Sequence, residues 1–178
     1  MVRDAVDDAP SDDLNPLEEA AVPAIRINHV SISATDLDAS VRFYTEVFGM
    51  RRVANPDFGF PVAWLAFGEV QLHLFERDVE TPRSQHVAIE VDDMERVIHE
   101  VSARGIADTE AFGHWLYRLP DGAAQLYLRD PGGNLIEVDH PDADSLDPKA
   151  TTEIRPLRRP QEGEAATATL WVREPRTS

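Results

Sequence analysis

The sequence predicts an α+β domain made of two βαβββ modules whose paired, mixed and mostly antiparallel sheets form a cleft. Two observations predict this fold class. The segment 29–33 (HVSIS) is repeated at 86–90 (HVAIE), and each is an alternating strand that opens with a histidine. Each strand runs into an acidic helix start, and the helices end at Gly49 and Gly105, 20 and 19 residues after their histidines. Further strands follow in both halves, so we expect a duplicated unit.

In the first module, residues 25–33 alternate as a strand, and Asp36 is suited to cap the helix that follows, up to Phe48. Gly49 supplies the left-handed turn that ends a helix. Three further strands are predicted at 51–54, 63–67 and 70–75. The apolar stripe of the helix consists of Leu37, Val41, Tyr44 and Phe48.

The second module repeats this order. Residues 86–91 predict a strand and residues 93–104 a helix. Asp121-Gly122 indicates a hairpin, and the segment 130–133 (DPGG) indicates a turn. The second module is predicted to be one strand richer or looser than the first, with strand candidates at 108–112, 114–119 and 124–128 and a last strand at 135–139. The inward-facing helix residues are Met94, Val97, Ile98 and Val101.

These elements give module boundaries of 25–80 and 84–141, and together a domain over residues 25–141. Residues 1–24 are rich in Asp, Ala and Pro without an apolar period, which predicts a disordered acidic arm. Residues 142–178 predict an extended tail, rich in Pro and Arg, in which only 168–172 could form a strand.

Composition excludes several classes of function. The chain of 178 residues carries a formal charge of −16, which disfavours nucleic acid and anionic membranes as partners. It has no cysteine, so any metal must be held by histidine and carboxylates. No apolar run approaches the roughly 20 residues of a membrane span. The acidic N-terminus does not resemble a secretory signal, and we expect a cytoplasmic protein.

Four residues able to bind a metal occupy equivalent positions in the repeat. His29 corresponds to His86, and His73, five residues after Gly68, corresponds to Glu137, five residues after Gly132. A lone histidine on a strand is usually packed or hydrogen-bonded, but four matched positions favour a metal site. His73 is the least specific of the four, because a partly exposed strand accepts histidine without a functional reason. Imidazole and carboxylate ligands suit zinc, nickel, manganese or iron.

Six segments carry a resemblance to a known family: 27–30 (INHV), 40–44 (SVRFY), 48–50 (FGM), 85–88 (QHVA), 130–133 (DPGG) and 134–137 (NLIE). Through them, residues 25–141 resemble the vicinal oxygen chelate superfamily, which includes glyoxalase I, fosfomycin-resistance proteins, methylmalonyl-CoA epimerase, bleomycin-binding proteins and extradiol dioxygenases. The resemblance implies a divalent metal at the base of one cleft.

At the metal positions of many superfamily members this chain has His29, His86 and Glu137. His73 matches a fourth position, which holds a carboxylate in glyoxalases. Because the glyoxalase reaction resembles a proton shuttle between two metal-bound carboxylates, the histidine reduces the support for a true glyoxalase I.

The resemblance implies a metal-dependent lyase, isomerase or dioxygenase acting on a small molecule that chelates the metal through adjacent oxygens. Glu137 is the carboxylate expected to move a proton. The alternative is a non-catalytic protein that sequesters an aromatic or cationic drug between its modules. Two-module relatives commonly pair, so we expect a homodimer. The candidate wall of the substrate cleft consists of Tyr44, Phe60, Trp64, Phe75, Trp115 and Tyr127.

Overall fold

Two mixed sheets, one from each half of the chain, form the computed structural model, which describes residues 24–157 and 159–171. The first sheet has the strand order β1-β4-β3-β2 and is accompanied by one helix. The first module consists of β1 (His29–Ala34), α1 (Leu37–Val47), β2 (Arg51–Val53), β3 (Val62–Phe67) and β4 (Val70–Glu76).

The second sheet repeats that order as β5-β8-β7-β6 and adds β9 (Arg155–Pro156) at its outer edge, parallel to β6. The predicted α+β class with two βαβββ modules is confirmed. The second module consists of β5 (His86–Glu90), α2 (Met94–Arg104), β6 (Leu116–Arg118), β7 (Ala124–Arg129) and β8 (Leu135–His140).

The strand register reproduces the repeat that the sequence predicts. β1 lies parallel to β4, and His29 is opposite the residue two positions before His73. β5 lies parallel to β8, and His86 is opposite the residue two positions before Glu137. The remaining pairs within each module are antiparallel. The two halves of the chain therefore hold their ligand-type residues in the same local arrangement.

Both helices begin where the sequence predicts, α1 at its predicted cap Asp36 and α2 directly after Asp93, the first residue of the predicted helix. The carboxylate of Asp36 accepts a hydrogen bond from the backbone N–H of Ala39 (2.8 Å), and that of Asp93 accepts one from Arg96 (3.0 Å). Gly105 ends α2 in the left-handed conformation, with φ of 65°. The apolar faces of both helices pack into one core shared by the two modules.

The modules are joined by polar contacts at two places. The side-chain amide of Asn134 donates to the Ser33 carbonyl (2.7 Å), which ties the turn before β8 to the end of β1. Across the helices, Arg96 donates to the Glu46 carbonyl (3.3 Å), and Arg104 lies 3.4 Å from the Glu46 carboxylate. These contacts and the common core fix how one sheet is oriented relative to the other.

Two predicted strands differ in the structure. The first begins at His29 and not at residue 25, because its neighbour β4 begins at Val70, opposite Asn28, and residues 25–27 extend beyond it. The predicted strand at 108–112 is a loop. There the Asp108 carboxylate accepts from the Ala111 N–H (2.9 Å) and closes a turn. The extra strand of the second module is β9, which the tail supplies.

The predicted extended tail contains more structure than expected. In its described part it forms β9 and two short 3₁₀ helices, Ala143–Ser145 and Gly163–Thr167, while residues 168–171 form no strand. Ala143 and Leu146 are buried in the core. The predicted acidic arm falls almost entirely on residues 1–23, which lie outside the described residues. In the part of the chain that the structure describes, no helix is long and apolar enough to cross a membrane.

Candidate metal centre

The side chains of β4 alternate between the core and an open face of the first sheet. Leu72 and Leu74 pack in the core with residues of α1. His73 therefore points to the opposite side, together with His29 of β1 and Trp64 of β3. We call this surface face 1 and define it by His29, Trp64 and His73.

Three flat rings are stacked on face 1. The ring of His73 lies between those of Trp64 and His29, with its centroid 4.2 Å from each and interplanar angles of 5° and 12°. His73 is only 7% exposed. Burial lowers its pKa, and the neighbouring His29 lowers it further. His73 is therefore held in the neutral form, which is the form that binds metals.

Hydrogen bonds fix which ring nitrogens of face 1 are available. His29 donates from Nδ1 to Asn28 Oδ1 (3.0 Å), which leaves a lone pair on Nε2. His73 donates from Nε2 to Gln71 Oε1 (2.9 Å), which leaves its lone pair on Nδ1. Because a metal lies in the plane of an imidazole that binds it, two parallel rings cannot both bind one ion until one of them turns. His29 is the better-prepared donor of the two, because it is exposed while His73 is buried between two rings.

The second sheet presents a corresponding open face. Ile136 and Val138 of β8 pack in the core with residues of α2. Glu137 points to the opposite side, where it lies near His86 of β5 and opposite Tyr127 of β7. We call this surface face 2 and define it by His86, Tyr127 and Glu137.

His86 and Glu137 form a pair that suits a divalent metal. His86 Nε2 lies 3.2 Å from Glu137 Oε2, and the carboxylate is buried, with 5% of the residue exposed. His86 donates from Nδ1 to the Ser84 carbonyl (2.8 Å), which turns Nε2 toward the carboxylate. Two electron-pair donors at this distance repel each other unless a proton or a metal cation lies between them.

Two further groups on this side of the second sheet have raised pKa values. Tyr127 donates its hydroxyl to Gln125 Oε1 (2.9 Å). Burial, followed by the hydrogen bond and charge of Glu137, raises the pKa of Tyr127 far above its ordinary value. Burial and then the charge of Glu137 raise the pKa of Asp139 to about 7. Face 2 therefore offers a neutral phenol and, beside it, a carboxyl group that takes up a proton near neutral pH.

The two pairs do not meet within one chain. Among residues 24–157 and 159–171, no three His, Cys, Asp or Glu side chains come close enough together to hold one metal ion. The four predicted ligands form two half-sites, one of His29 with His73 and the other of His86 with Glu137.

Four of the six predicted cleft-wall residues lie beside these half-sites. Phe60 and Phe75, with ring centroids 6.0 Å apart, extend face 1 next to Trp64. Tyr127 belongs to face 2, and its ring centroid is 6.0 Å from that of His86. Both half-sites therefore have aromatic surroundings.

The other two, Tyr44 and Trp115, lie in the core and not on either face. Tyr44 is fully buried, as its position in the apolar stripe of α1 indicates, and its hydroxyl donates to Asp130 Oδ2 (2.7 Å). Trp115 donates from Nε1 to Glu153 Oε2 (3.0 Å). Both aromatic residues hold structural contacts instead of lining a cleft.

Several residues at the site carry no strong signal in the sequence. Asn28 and Ser84 fix the ring nitrogens of His29 and His86, and the only hint is that each lies one or two positions before its histidine. Phe58 and Phe112, from loops, pack near Trp64 and Tyr127 with ring centroids 6.1 and 4.6 Å apart. Loop residues have no periodicity that would predict these contacts.

Comparison with known proteins places this geometry in context. Residues 26–138 match the family model described as the Glyoxalase/Bleomycin resistance protein/Dioxygenase superfamily. A curated relative from Vibrio parahaemolyticus, named probable lactoylglutathione lyase, is 29% identical over 126 residues, which is 64% of this chain and 88% of the relative.

Two solved structures share the fold. A lactoylglutathione lyase from Agrobacterium tumefaciens is 25% identical, with a TM-score of 0.53, and the alignment covers 70% of this chain and all of that one. A protein titled Oxidase ChaP-H2 is also 25% identical, with a TM-score of 0.54 over 68% of this chain and 98% of that one. The family match ends at residue 138, before the tail begins.

Proposed function

The chain belongs to the Glyoxalase/Bleomycin resistance protein/Dioxygenase superfamily, and from that premise we propose that it is a metal-dependent enzyme. Its substrate is a small molecule that presents two adjacent oxygens to a divalent metal, and its reaction is that of a lyase, an isomerase or a dioxygenase. Relatives named for lactoylglutathione lyase and oxidase activities are consistent with this range.

One observation carries the proposal: Nε2 of His86 lies 3.2 Å from the buried carboxylate of Glu137, while Nδ1 of the same ring donates to the Ser84 carbonyl. A buried carboxylate this close to a ring nitrogen needs a proton or a metal cation between the two. Zinc, nickel, manganese and iron accept this combination of imidazole and carboxylate. When bound, such an ion would supply Lewis-acid stabilisation of a substrate oxygen that gains negative charge, worth several kcal/mol.

The chain's own residues would carry out the remaining chemistry. Glu137 supplies the one carboxylate among the four ligand-type residues and is the candidate base for a substrate proton. Tyr127 stays protonated and acts as a hydrogen-bonding wall, not as a base. His73 replaces the second carboxylate of a glyoxalase-type shuttle, which favours chemistry that needs one carboxylate base over a shuttle between two.

We propose that a homodimer completes the site. A half-site of two ligands holds a catalytic metal poorly, whereas three or four ligands are usual. In a twofold dimer, face 1 of one chain against face 2 of its partner would create two identical sites. Large exposed aromatics flank both faces, Phe58 (45%) and Phe60 (43%) beside face 1 and Phe112 (42%) beside face 2, as is typical of an interaction surface.

A complementation experiment tests the proposal. One chain carries His29→Ala and His73→Ala, the other carries His86→Ala and Glu137→Ala, and the two are co-expressed with different, histidine-free affinity tags. The mixed dimer contains one intact site, because each chain retains the half-site that the other has lost. We expect two zinc ions per wild-type dimer, one per mixed dimer and none in either variant alone.

The outcomes separate the parts of the proposal. Zinc retained in both variant homodimers would refute the assignment of these four residues as metal ligands. Full zinc in wild type with none in the mixed dimer would refute the shared site, and a monomer in light scattering at micromolar concentration would do the same. Zinc binding without turnover of any α-oxo or catechol compound would favour the alternative, a protein that only sequesters its ligand.

A further inference from the structure

The chain's own tail is attached to the second sheet by specific contacts. His114 donates from Nε2 to the Glu153 carbonyl (2.7 Å), and Trp115 donates to the Glu153 carboxylate (3.0 Å). β9 follows and pairs with β6, with Arg155 opposite Tyr117. This part of the tail is therefore held in place by the second module.

Beyond β9 the tail forms one wall of a cavity. The cavity has a volume of about 340 Å³, and the tail contributes Leu157, Arg159 and Gln161 to its lining. Leu157 packs against the buried cluster that contains Tyr117 and Tyr127. At the lower end of the range for small-molecule sites, this volume suits a ligand with a single ring.

The opposite wall is aromatic and adjoins the His86–Glu137 pair. It consists of Phe112, Tyr117 and Tyr127, and the rings of Phe112 and Tyr127 have centroids 5.9 and 6.0 Å from that of His86. A flat ring bound here would lie between aromatic side chains. One edge of that ring would face the metal ligands of face 2.

Arg159 is the one charged residue in the lining of this cavity. Among the described residues, no carboxylate oxygen lies within 4.0 Å of a guanidinium nitrogen of Arg159, the distance that defines a salt bridge. The Gln161 side-chain amide donates to the Arg159 carbonyl (2.8 Å) and fixes the turn that presents it. A guanidinium in this position matches a carboxylate in geometry and charge.

We infer that this cavity binds the substrate, that the substrate is a single-ring aromatic acid, and that Arg159 recognises its carboxylate while the opposite edge presents two adjacent oxygens to the metal. The part of the inference that concerns the metal-binding end of the substrate rests on the proposed function. The part that concerns its carboxylate rests only on the residues of the tail. Arg159 also argues against a cationic ligand in this cavity, in spite of the acidic charge of the chain.

The test uses two probes of equal shape, 3,4-dihydroxybenzoate and 3,4-dihydroxybenzamide, titrated calorimetrically into the zinc-loaded, full-length protein under anaerobic conditions. We expect the acid to bind at least tenfold more tightly than the neutral amide. Arg159→Gln should weaken binding of the acid about tenfold and leave the amide unchanged. Arg155→Gln is the matched control, since Arg155 lies on β9 outside the lining, and it should change neither affinity.

Equal affinity for acid and amide in the wild type, a preference that survives Arg159→Gln, or no binding of either probe would overturn the inference. Zinc content is measured on the same samples, so failure of the metal site is seen separately. Titrations of chelator-treated protein keep the carboxylate test independent of the metal. There we expect weaker binding of both probes with the same preference for the acid.

Discussion

The hydroxyl of Tyr44 donates a 2.7 Å hydrogen bond to the carboxylate of Asp130 across the boundary between the two modules. Both residues are buried, and they lie 86 positions apart in the chain. Asp130 also accepts from the backbone and side-chain N–H groups of Asn134, whose amide reaches the Ser33 carbonyl. The turn before β8 is therefore a polar junction that sets the angle between faces 1 and 2.

Tyr44→Phe tests this junction through its pH dependence. Burial raises the pKa of Asp130, and the hydrogen bonds from Asn134 and Tyr44 oppose that rise. A raised carboxyl pKa means that the folded state holds the proton more tightly, so stability is greatest at low pH and falls as pH rises through the folded pKa. Without Tyr44 the pKa of Asp130 rises further, so the fall in stability is larger and extends to higher pH. We expect Tyr44→Phe to lower the free energy of unfolding by about 1 kcal/mol at pH 4 and by about 1.5–3 kcal/mol at pH 7.

The measurement is urea unfolding of chelator-treated protein across that pH range. Tyr117→Phe is the control, because Tyr117 is also buried but donates to an uncharged acceptor, the Phe112 carbonyl (2.8 Å). The loss of unfolding free energy in Tyr117→Phe should stay constant with pH. An equal, constant loss in both variants would show that Asp130 is not ionised by neutral pH in the native protein.

Gly132→Ala tests the close approach between the same turn and β1. A Cβ added at Gly132 would lie 2.7 Å from the Ser33 carbonyl oxygen, and the glycine does not have a positive φ. In open space, Gly→Ala at such a φ would be stabilising by about 0.4–1 kcal/mol. Here the clash is with backbone, so we expect a net loss of about 1–3 kcal/mol in urea unfolding. A stabilised variant would contradict this contact between the modules.

The sequence predicts the structure within each module better than it predicts how the two modules are arranged relative to each other. Strand alternation and caps at Asp36 and Asp93 are local patterns, and both helices begin where these patterns indicate. The matched register of His29 and His86 follows from the repeat. The arrangement of the two modules involves contacts between distant residues, Tyr44 with Asp130 (86 positions apart) and Ser33 with Asn134 (101 positions apart). No local pattern in the sequence reveals such contacts.

The predicted role of Trp115 fails for a similar reason. Its hydrogen-bond partner, Glu153, lies 38 positions away in a segment whose composition predicts only an extended chain. Aromatic residues near a cleft are plausible wall residues, but the sequence does not show that a tail will return and cover this one. The structured tail and its cavity could therefore be found only from the structure.

A double-mutant cycle of Trp115→Phe and Glu153→Gln tests the attachment of the tail. Each single change removes or weakens one charge-assisted hydrogen bond, for which we expect a loss of about 1.5–3 kcal/mol in urea unfolding. The double variant should lose little more than Trp115→Phe alone, because that change already removes the contact that Glu153→Gln weakens. Limited proteolysis should cut faster within residues 157–171 in all three. Additive losses with unchanged proteolysis would contradict the attachment.

The last prediction separates the two histidines of face 1. His29 has its Nε2 lone pair available, whereas His73 has Nε2 bonded to Gln71 and its ring stacked between Trp64 and His29. His29→Ala should therefore abolish stoichiometric zinc, as should Glu137→Ala, while His73→Ala should reduce zinc affinity by about tenfold to a hundredfold, as expected for a supporting residue. His99→Ala, at an exposed position of α2, is the control and should retain full zinc. The measurement is metal analysis of proteins purified without chelator or a histidine tag, followed by competition with a chelator of known affinity. Equal loss in the variants of His29 and His73 would mean that the His73 ring turns on metal binding and serves as a full ligand.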